Sequence, residues 1–338
     1  MDVEKQKQSS LNKEEEAVST AKGYVDAPVD GSLDLKAEIE RLKFERDAVI
    51  LAHFYQQGDI QDVADHIGDS LALARIAATL PNKVIVLCGV HFMGETAKIL
   101  CPDKTVIVPD MNAGCSLADS CPADDFAKFI AEHPDHTVVS YVNTTAAVKA
   151  LTDIVVTSGN ARKVIDSLPQ DAKIIFGPDR NLGNYINSQT GRNMVLWDGA
   201  CHVHEQFSLE KIIALKKEHP QAKVLVHPEC KKPLTLIADC VGSTAVLLKY
   251  AQESPAHEFI VATESGILHQ MRKDCPDKTF IPAPPNDSTC ACNDCSFMKL
   301  NTMQKLYNSL KYLAPQVEVD PAIIDRARLP IERMLALS

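Results

Sequence analysis

The sequence predicts an α/β protein of three three-layer αβα domains related by a pseudo-threefold, each with a short parallel sheet, and with the active site at the central junction. The first observation is a unit that occurs three times. An apolar run ends in a polar ring residue (49–53, 138–141, 224–227) and is followed by a helical run, a hydroxyl residue, a second helical run and another apolar run. The second is its spacing. His53 to Ser70, Tyr141 to Ser158 and His227 to Thr244 are 17 residues apart each time, and from each hydroxyl to Gly89, Gly177 and Thr263 is 19. The third is that Cys-Pro-Asp-Lys-Thr recurs verbatim at 101–105 and 275–279. A period of 86 to 88 residues is too long for a solenoid and suits a small α/β unit.

Composition bounds the rest. With 338 residues, 45% of them hydrophobic, the chain can bury two or three cores. A net charge of −10 without a basic cluster argues against nucleic acid or an anionic membrane surface as partner. No apolar run reaches the roughly 18 residues of a membrane span, and no signal-peptide pattern opens the chain. The expected location is cytoplasmic, where thiols stay reduced, so the eleven cysteines read as thiols or metal ligands rather than a disulfide framework.

Taken in order, residues 1–34 are polar and are expected to be a mobile tail. Leu35, Ile39 and Leu42 mark an amphipathic helix leading into repeat one, 35–125. Repeats two and three occupy 126–210 and 211–300. In each, the almost wholly apolar opening strand is that of a parallel strand covered on both faces, and Pro233 suits the first turn of a helix. The elements at Ser70, Ser158 and Thr244 open further helices, and a short strand closes each repeat (106–108, 194–196, 280–281). Strand–helix alternation with short links gives parallel sheets sandwiched by helices. Residues 298–313 read as one helix. Asp320-Pro321 caps another that runs towards Met334, and 301–338 is expected to pack back on the core.

Open parallel sheets bind ligands beyond the carboxyl ends of their strands, which is where His53, Tyr141 and His227 fall. A hydroxyl at a helix start either caps the helix or offers an anion an O–H beside free N–H groups. Three such hydroxyls around one centre point to a polyanionic small molecule. Each repeat also ends in cysteine: Cys115, Cys201, and one of Cys290, Cys292 and Cys295. Three thiolates, one per domain, can share a metal centre. Zinc usually wants a fourth ligand, for which His204 is available. A [4Fe–4S] cluster on three cysteines keeps one iron open as a Lewis acid. Cys88, Cys101, Cys230, Cys240 and Cys275 read as core residues.

With these motifs in place, the chain resembles the quinolinate synthase family over about residues 36–335. The resemblance rests on Ala52-His53-Phe54-Tyr55, Gly68-Asp69-Ser70-Leu71, the run from Phe92 to Leu100, Tyr141-Val142-Asn143-Thr144 and Val156-Thr157-Ser158. It continues through Gly199-Ala200-Cys201-His202-Val203-His204, His227-Pro228-Glu229, Val241-Gly242-Ser243-Thr244 and Cys295. It implies condensation of iminosuccinate with dihydroxyacetone phosphate, an NAD-biosynthetic step, on a [4Fe–4S] cluster held by Cys115, Cys201 and Cys295. It also implies substrate contacts from His53, Ser70, Tyr141, Asn143, Ser158, His227, Glu229 and Thr244, with Tyr55, His204 and Glu229 as acid–base groups. Relatives commonly read Cys-x-x-Cys-x-x-Cys at the third ligand, where this chain reads Cys290-Ala291-Cys292-Asn293-Asp294-Cys295. The register of Phe297-Met298 and Asn301 favours the last cysteine. The lability of iminosuccinate suggests a transient encounter with L-aspartate oxidase. Competing readings are a different three-cysteine Fe–S hydro-lyase, an iron or redox sensor, and a zinc-stabilised binding protein.

Overall fold

The structure, a computed structural model, describes residues 18–287 and 293–338. It contains three four-stranded sheets built on one plan. The first holds β1 (Ala48–His53), β2 (His66–Gly68), β3 (Val84–Cys88) and β4 (Thr105–Ile107). The second holds β5 (Thr137–Tyr141), β6 (Ile154–Val156), β7 (Ile174–Gly177) and β8 (Val195–Leu196). The third holds β9 (Lys223–Val226), β10 (Cys240–Val241), β11 (Glu258–Ala262) and β12 (Thr279–Pro282). Their orders, β2-β1-β3-β4, β6-β5-β7-β8 and β10-β9-β11-β12, are the same permutation, and every pairing is parallel. All six residues of β1 and all five of β3 are buried, because helices cover both faces. The order reverses between the first and third strand of each sheet, which opens a crevice at their carboxyl ends. His53 is the last residue of β1, Tyr141 the last of β5, and His227 follows β9.

The helix Leu35–Arg46 begins where Asp34 accepts from the N–H groups of Lys36 and Ala37, and it buries Ile39 and Leu42 as expected. Residues 18–34 do not run free, in contrast with the expected tail. Val25 is buried, Met111 N–H donates to Gly23 O at 2.7 Å, and Asn308 Nδ2 donates to Ala27 O at 2.8 Å. One valine anchors this strap and side-chain amides satisfy its backbone, a pattern that hydrophobic periodicity does not register.

The single helix expected over 298–313 is divided into a 3₁₀ turn, Met298–Leu300, and a helix, Met303–Tyr312. Thr302 caps the second piece, and the fully buried Asn301 between them donates from Nδ2 to Gly89 O at 2.8 Å. The last helix, Pro321–Ala336, follows the Asp320 cap and sinks Ile324, Ala327, Ile331 and Met334 into the core shared by repeats one and two. No helix among the described residues is long and apolar enough to cross a membrane.

Candidate active site

All three repeats wall one pocket, placed at a junction between domains as small-molecule sites often are. Every expected site residue lines it: His53, Tyr55, Ser70, Cys115, Tyr141, Asn143, Ser158, Cys201, His204, His227, Glu229, Thr244 and Cys295. The hydroxyls at the helix starts are not the caps. The helix Ser70–Thr79 is capped by Asp69, which accepts from Ala72 N–H at 3.0 Å, and Thr244–Glu253 is capped by Ser243. Capping is thus done one residue earlier, and Ser70 and Thr244 both line the pocket, where Thr244 Oγ1 lies 3.1 Å from the Tyr55 hydroxyl. Ser158 departs from the expectation: it sits in a turn, and its helix starts later, at Ala161. There Asn160 accepts from Thr157 N–H at 2.6 Å, and this bond shapes the turn.

The strand-end residues repeat a local device. His53 Nδ1 accepts from Tyr55 N–H at 3.1 Å, and His227 Nδ1 accepts from Glu229 N–H at 3.4 Å. A ring whose Nδ1 accepts carries its proton on Nε2, and His227 Nε2 lies 3.3 Å from Ser158 Oγ. Burial, outweighing the attraction of Glu229, lowers both imidazoles to about 3. They are neutral donors at ordinary pH. Two residues after each ring come Tyr55, Asn143 and Glu229, and the Asn143 Oδ1 is buried with no protein partner. That oxygen is an acceptor awaiting a ligand.

Burial opposes ionisation of Glu229. His204 and His227 with the Tyr141 hydroxyl, which donates to Oε1 at 2.5 Å, outweigh it and hold the carboxyl at about 2. His204 Nδ1 stands 3.0 Å from Glu229 Oε2, although off the straight hydrogen-bond line. Burial pushes both phenols, Tyr55 and Tyr141, well above their usual range, so both stay protonated. The pocket therefore joins a fixed carboxylate to neutral acids.

Cys115, Cys201 and Cys295, one from each repeat, meet in this pocket. Burial raises all three thiols, Cys115 to about 12, and Cys115 lies close enough to Cys201 and Cys295 for mutual charge effects. Backbone N–H groups of Leu117 and Ala118 favour the Cys115 thiolate. His204 N–H does so for Cys201, and those of Phe297 and Met298 do so for Cys295. Each sulfur thus precedes a short helical turn: Ser116–Asp119, His204–Gln206 or Met298–Leu300. Soft donors supported by N–H groups fit a thiolate-bound metal cluster. Cys201, His204 and Glu229 also bring ligand atoms within 4.8 Å of one another, a set able to hold a single metal ion. Cys290 and Cys292 lie outside the described residues. Cys88, Cys101, Cys230 and Cys275 are buried as core residues, while Cys240 is half-buried.

Sequence reasoning missed Thr263 and Glu264. Glu264 lines the pocket and accepts from Cys295 N–H at 3.0 Å and from Lys299 Nζ at 2.8 Å. Thr263 Oγ1 touches Tyr55 and His204. Its signal was present: it stands where the other two repeats have glycine.

Comparison with known proteins shows the family. A family model described as quinolinate synthetase A protein matches residues 37–336. The quinolinate synthase of Nostoc sp. (strain PCC 7120) is 58% identical over 306 residues, covering 90% of this chain and 94% of the relative. That of Synechococcus sp. is 56% identical over 305 residues, with 90% and 95% covered. That of Thermosynechococcus vestitus is 57% identical over 306, with 90% and 96% covered.

Proposed function

The chain belongs to the quinolinate synthetase A family, an enzyme of NAD biosynthesis acting on small molecules, and on that premise we propose that it condenses iminosuccinate (iminoaspartate) with dihydroxyacetone phosphate to quinolinate, phosphate and water. This is transferase chemistry, and we place it in the cytoplasm. The observation that supports the reading best is the convergence of three cysteines, one per repeat, with neutral imidazoles, hydroxyls and one ionised carboxylate in a single pocket.

Cys115, Cys201 and Cys295 would hold a [4Fe–4S] cluster, which with three protein ligands supplies an open iron as a Lewis acid for loss of hydroxyl as water. The protein side chains do the rest. His53 and His227 donate to carboxylate or phosphate oxygens without bringing positive charge of their own, and Ser70, Ser158 and Thr244 add hydroxyls. Asn143 Oδ1 accepts an N–H of the nitrogen substrate. Carbon–carbon bond formation needs a proton removed and later steps need protons returned. Glu229, ionised, with His204 beside it, can take one; Tyr55, kept as a phenol, can give one.

The test is anaerobic purification with iron and sulfide analysis of the wild type and of Cys115→Ala, Cys201→Ala and Cys295→Ala, each assayed for quinolinate. The expected wild type is brown, carries about four irons and is active, and each alanine removes both properties. A colourless zinc protein, held through Cys201, His204 and Glu229, would overturn the cluster. A transient encounter with L-aspartate oxidase belongs to this reading, and equal flux with the oxidase held behind a dialysis membrane would count against it.

A further inference from the structure

The residues that follow the three cysteines meet one another. Ser116 is next to Cys115, His202 is next to Cys201, and Phe297 is two beyond Cys295. All three are half-buried and line the pocket, one from each repeat. The Ser116 hydroxyl lies 2.7 Å from His202 Nδ1, and the backbone N–H of His202 donates to Ser116 Oγ at 3.4 Å. The His202 ring packs T-shaped against Phe297, with centroids 6.0 Å apart and planes at 83°. Phe297 in turn reaches the first loop. A β-carbon on Gly114, the residue before Cys115, would lie 3.6 Å from its Cε1, an ordinary packing distance. The three contacts close a triangle: repeat one to two, two to three, and three to one.

Each side of the triangle forms without charge. Burial, with His204 nearby, lowers His202 below the ordinary imidazole value, so the ring is neutral at ordinary pH. Its Nδ1 accepts the serine proton, while the serine oxygen accepts the backbone N–H. The contact with Phe297 is the edge-to-face packing that aromatic rings favour. Such a joint suits its surroundings. Three thiolates and the Glu229 carboxylate gather in one pocket and repel one another, the more so where water is excluded. The loops that carry the cysteines are therefore pushed apart by the very groups they bring together, and something uncharged must hold them.

Resting on the cluster ligands assigned above, we propose that Ser116, His202 and Phe297 are positioning residues, a clasp that keeps the three cysteine loops at one spacing and so retains the cluster. None of the three is a ligand. A cysteine leaves the metal only when its loop swings away, and each loop belongs to a different repeat. Joining the loops side to side removes that freedom, as groups that orient a metal ligand do from outside the ligand set. His202 takes part in two of the three contacts, so the clasp acts as a unit centred on it.

The experiment follows the cluster's visible absorbance while anaerobically purified holoenzyme gives up iron to excess bathophenanthroline, with far-UV ellipticity recorded on the same samples. The proteins are wild type, Ser116→Ala, Ser116→Thr, His202→Ala, Phe297→Leu and the double variant Ser116→Ala, His202→Ala. Ser116→Ala is expected to release iron about tenfold faster than wild type, the lower end of what losing an orienting group costs. Ser116→Thr keeps the hydroxyl and should release iron at the wild-type rate. His202→Ala and Phe297→Leu release it faster than wild type. Adding Ser116→Ala to His202→Ala changes nothing further, because the partner of the serine is already gone. Ellipticity stays constant throughout, which places the loss in the folded protein. Wild-type release from Ser116→Ala and His202→Ala, effects that multiply in the double variant, or ellipticity that falls in step with the iron would overturn the clasp and leave the proposed function standing. A colourless wild type overturns the cluster and the clasp with it.

Discussion

His53 and His227 show how burial sets chemistry at a single residue. Each is held at about 3 rather than the ordinary 6.5, first by desolvation. Between those values the unfolded chain binds protons that the folded chain refuses, so stability falls as pH drops below about 6.5. Glu229, held at about 2 against its ordinary 4.5, adds its own loss only below pH 4.5. From pH 7 to 5 the histidines therefore act without it. We expect a His53→Gln, His227→Gln double variant to show a smaller fall in melting temperature over that window than the wild type, and equal slopes would refute the assignment. Glu229→Gln should lower kcat by about 100-fold or more, because Tyr141 and His204 would then face a neutral amide; near-normal turnover would remove it from proton transfer.

The elements carry the site through close contacts that tolerate little change. The helix His91–Leu100 approaches its neighbours at Gly94, where a β-carbon would come within 2.6 Å of Val108 Cγ2 and 3.0 Å of Val317 Cγ2, both on buried residues. Gly94→Ala is expected to cost about 1–3 kcal/mol by overpacking, read from urea unfolding, and a neutral result would mean that the helix can shift. Thr302 separates the turn carrying Met298 from the helix Met303–Tyr312 by accepting from Lys305 N–H at 3.3 Å. Thr302→Ala should cost about 1 kcal/mol in the same measurement.

At the scale of the molecule, the three repeats do not stand as independent bodies. The largest apolar cluster runs from β1 and β3 of repeat one through β6 and β7 of repeat two and is closed by the helix Pro321–Ala336. Arg333 Nη1 donates to Asp153 O at 2.8 Å, and Asn160 Nδ2 donates to Ser338 Oγ at 2.6 Å. This helix also ties down the turn that carries Ser158. Removing residues 321–338 should expose an apolar face of repeat two and abolish cooperative thermal unfolding. A truncated chain with wild-type melting would show that the helix is only a cover.

The sequence by itself determined the three-fold repetition, the apolar strands and the identity of the strand-end rings, hydroxyls and cysteines. Those features follow from period and spacing, which burial imposes locally on every repeat. It left 298–313 as one helix, because propensity does not register that Asn301 finds its partner in Gly89, far away in the chain. It left open whether Ser70 and Thr244 cap their helices or face a ligand, since any hydroxyl near a helix start qualifies as a cap until the geometry selects Asp69 and Ser243. It gave no role to Thr263, whose partners Tyr55 and His204 lie 208 and 59 residues away. Proton paths and pKa values depend on distances between segments that meet only when three sheets close around one pocket, and only the tertiary structure decided those.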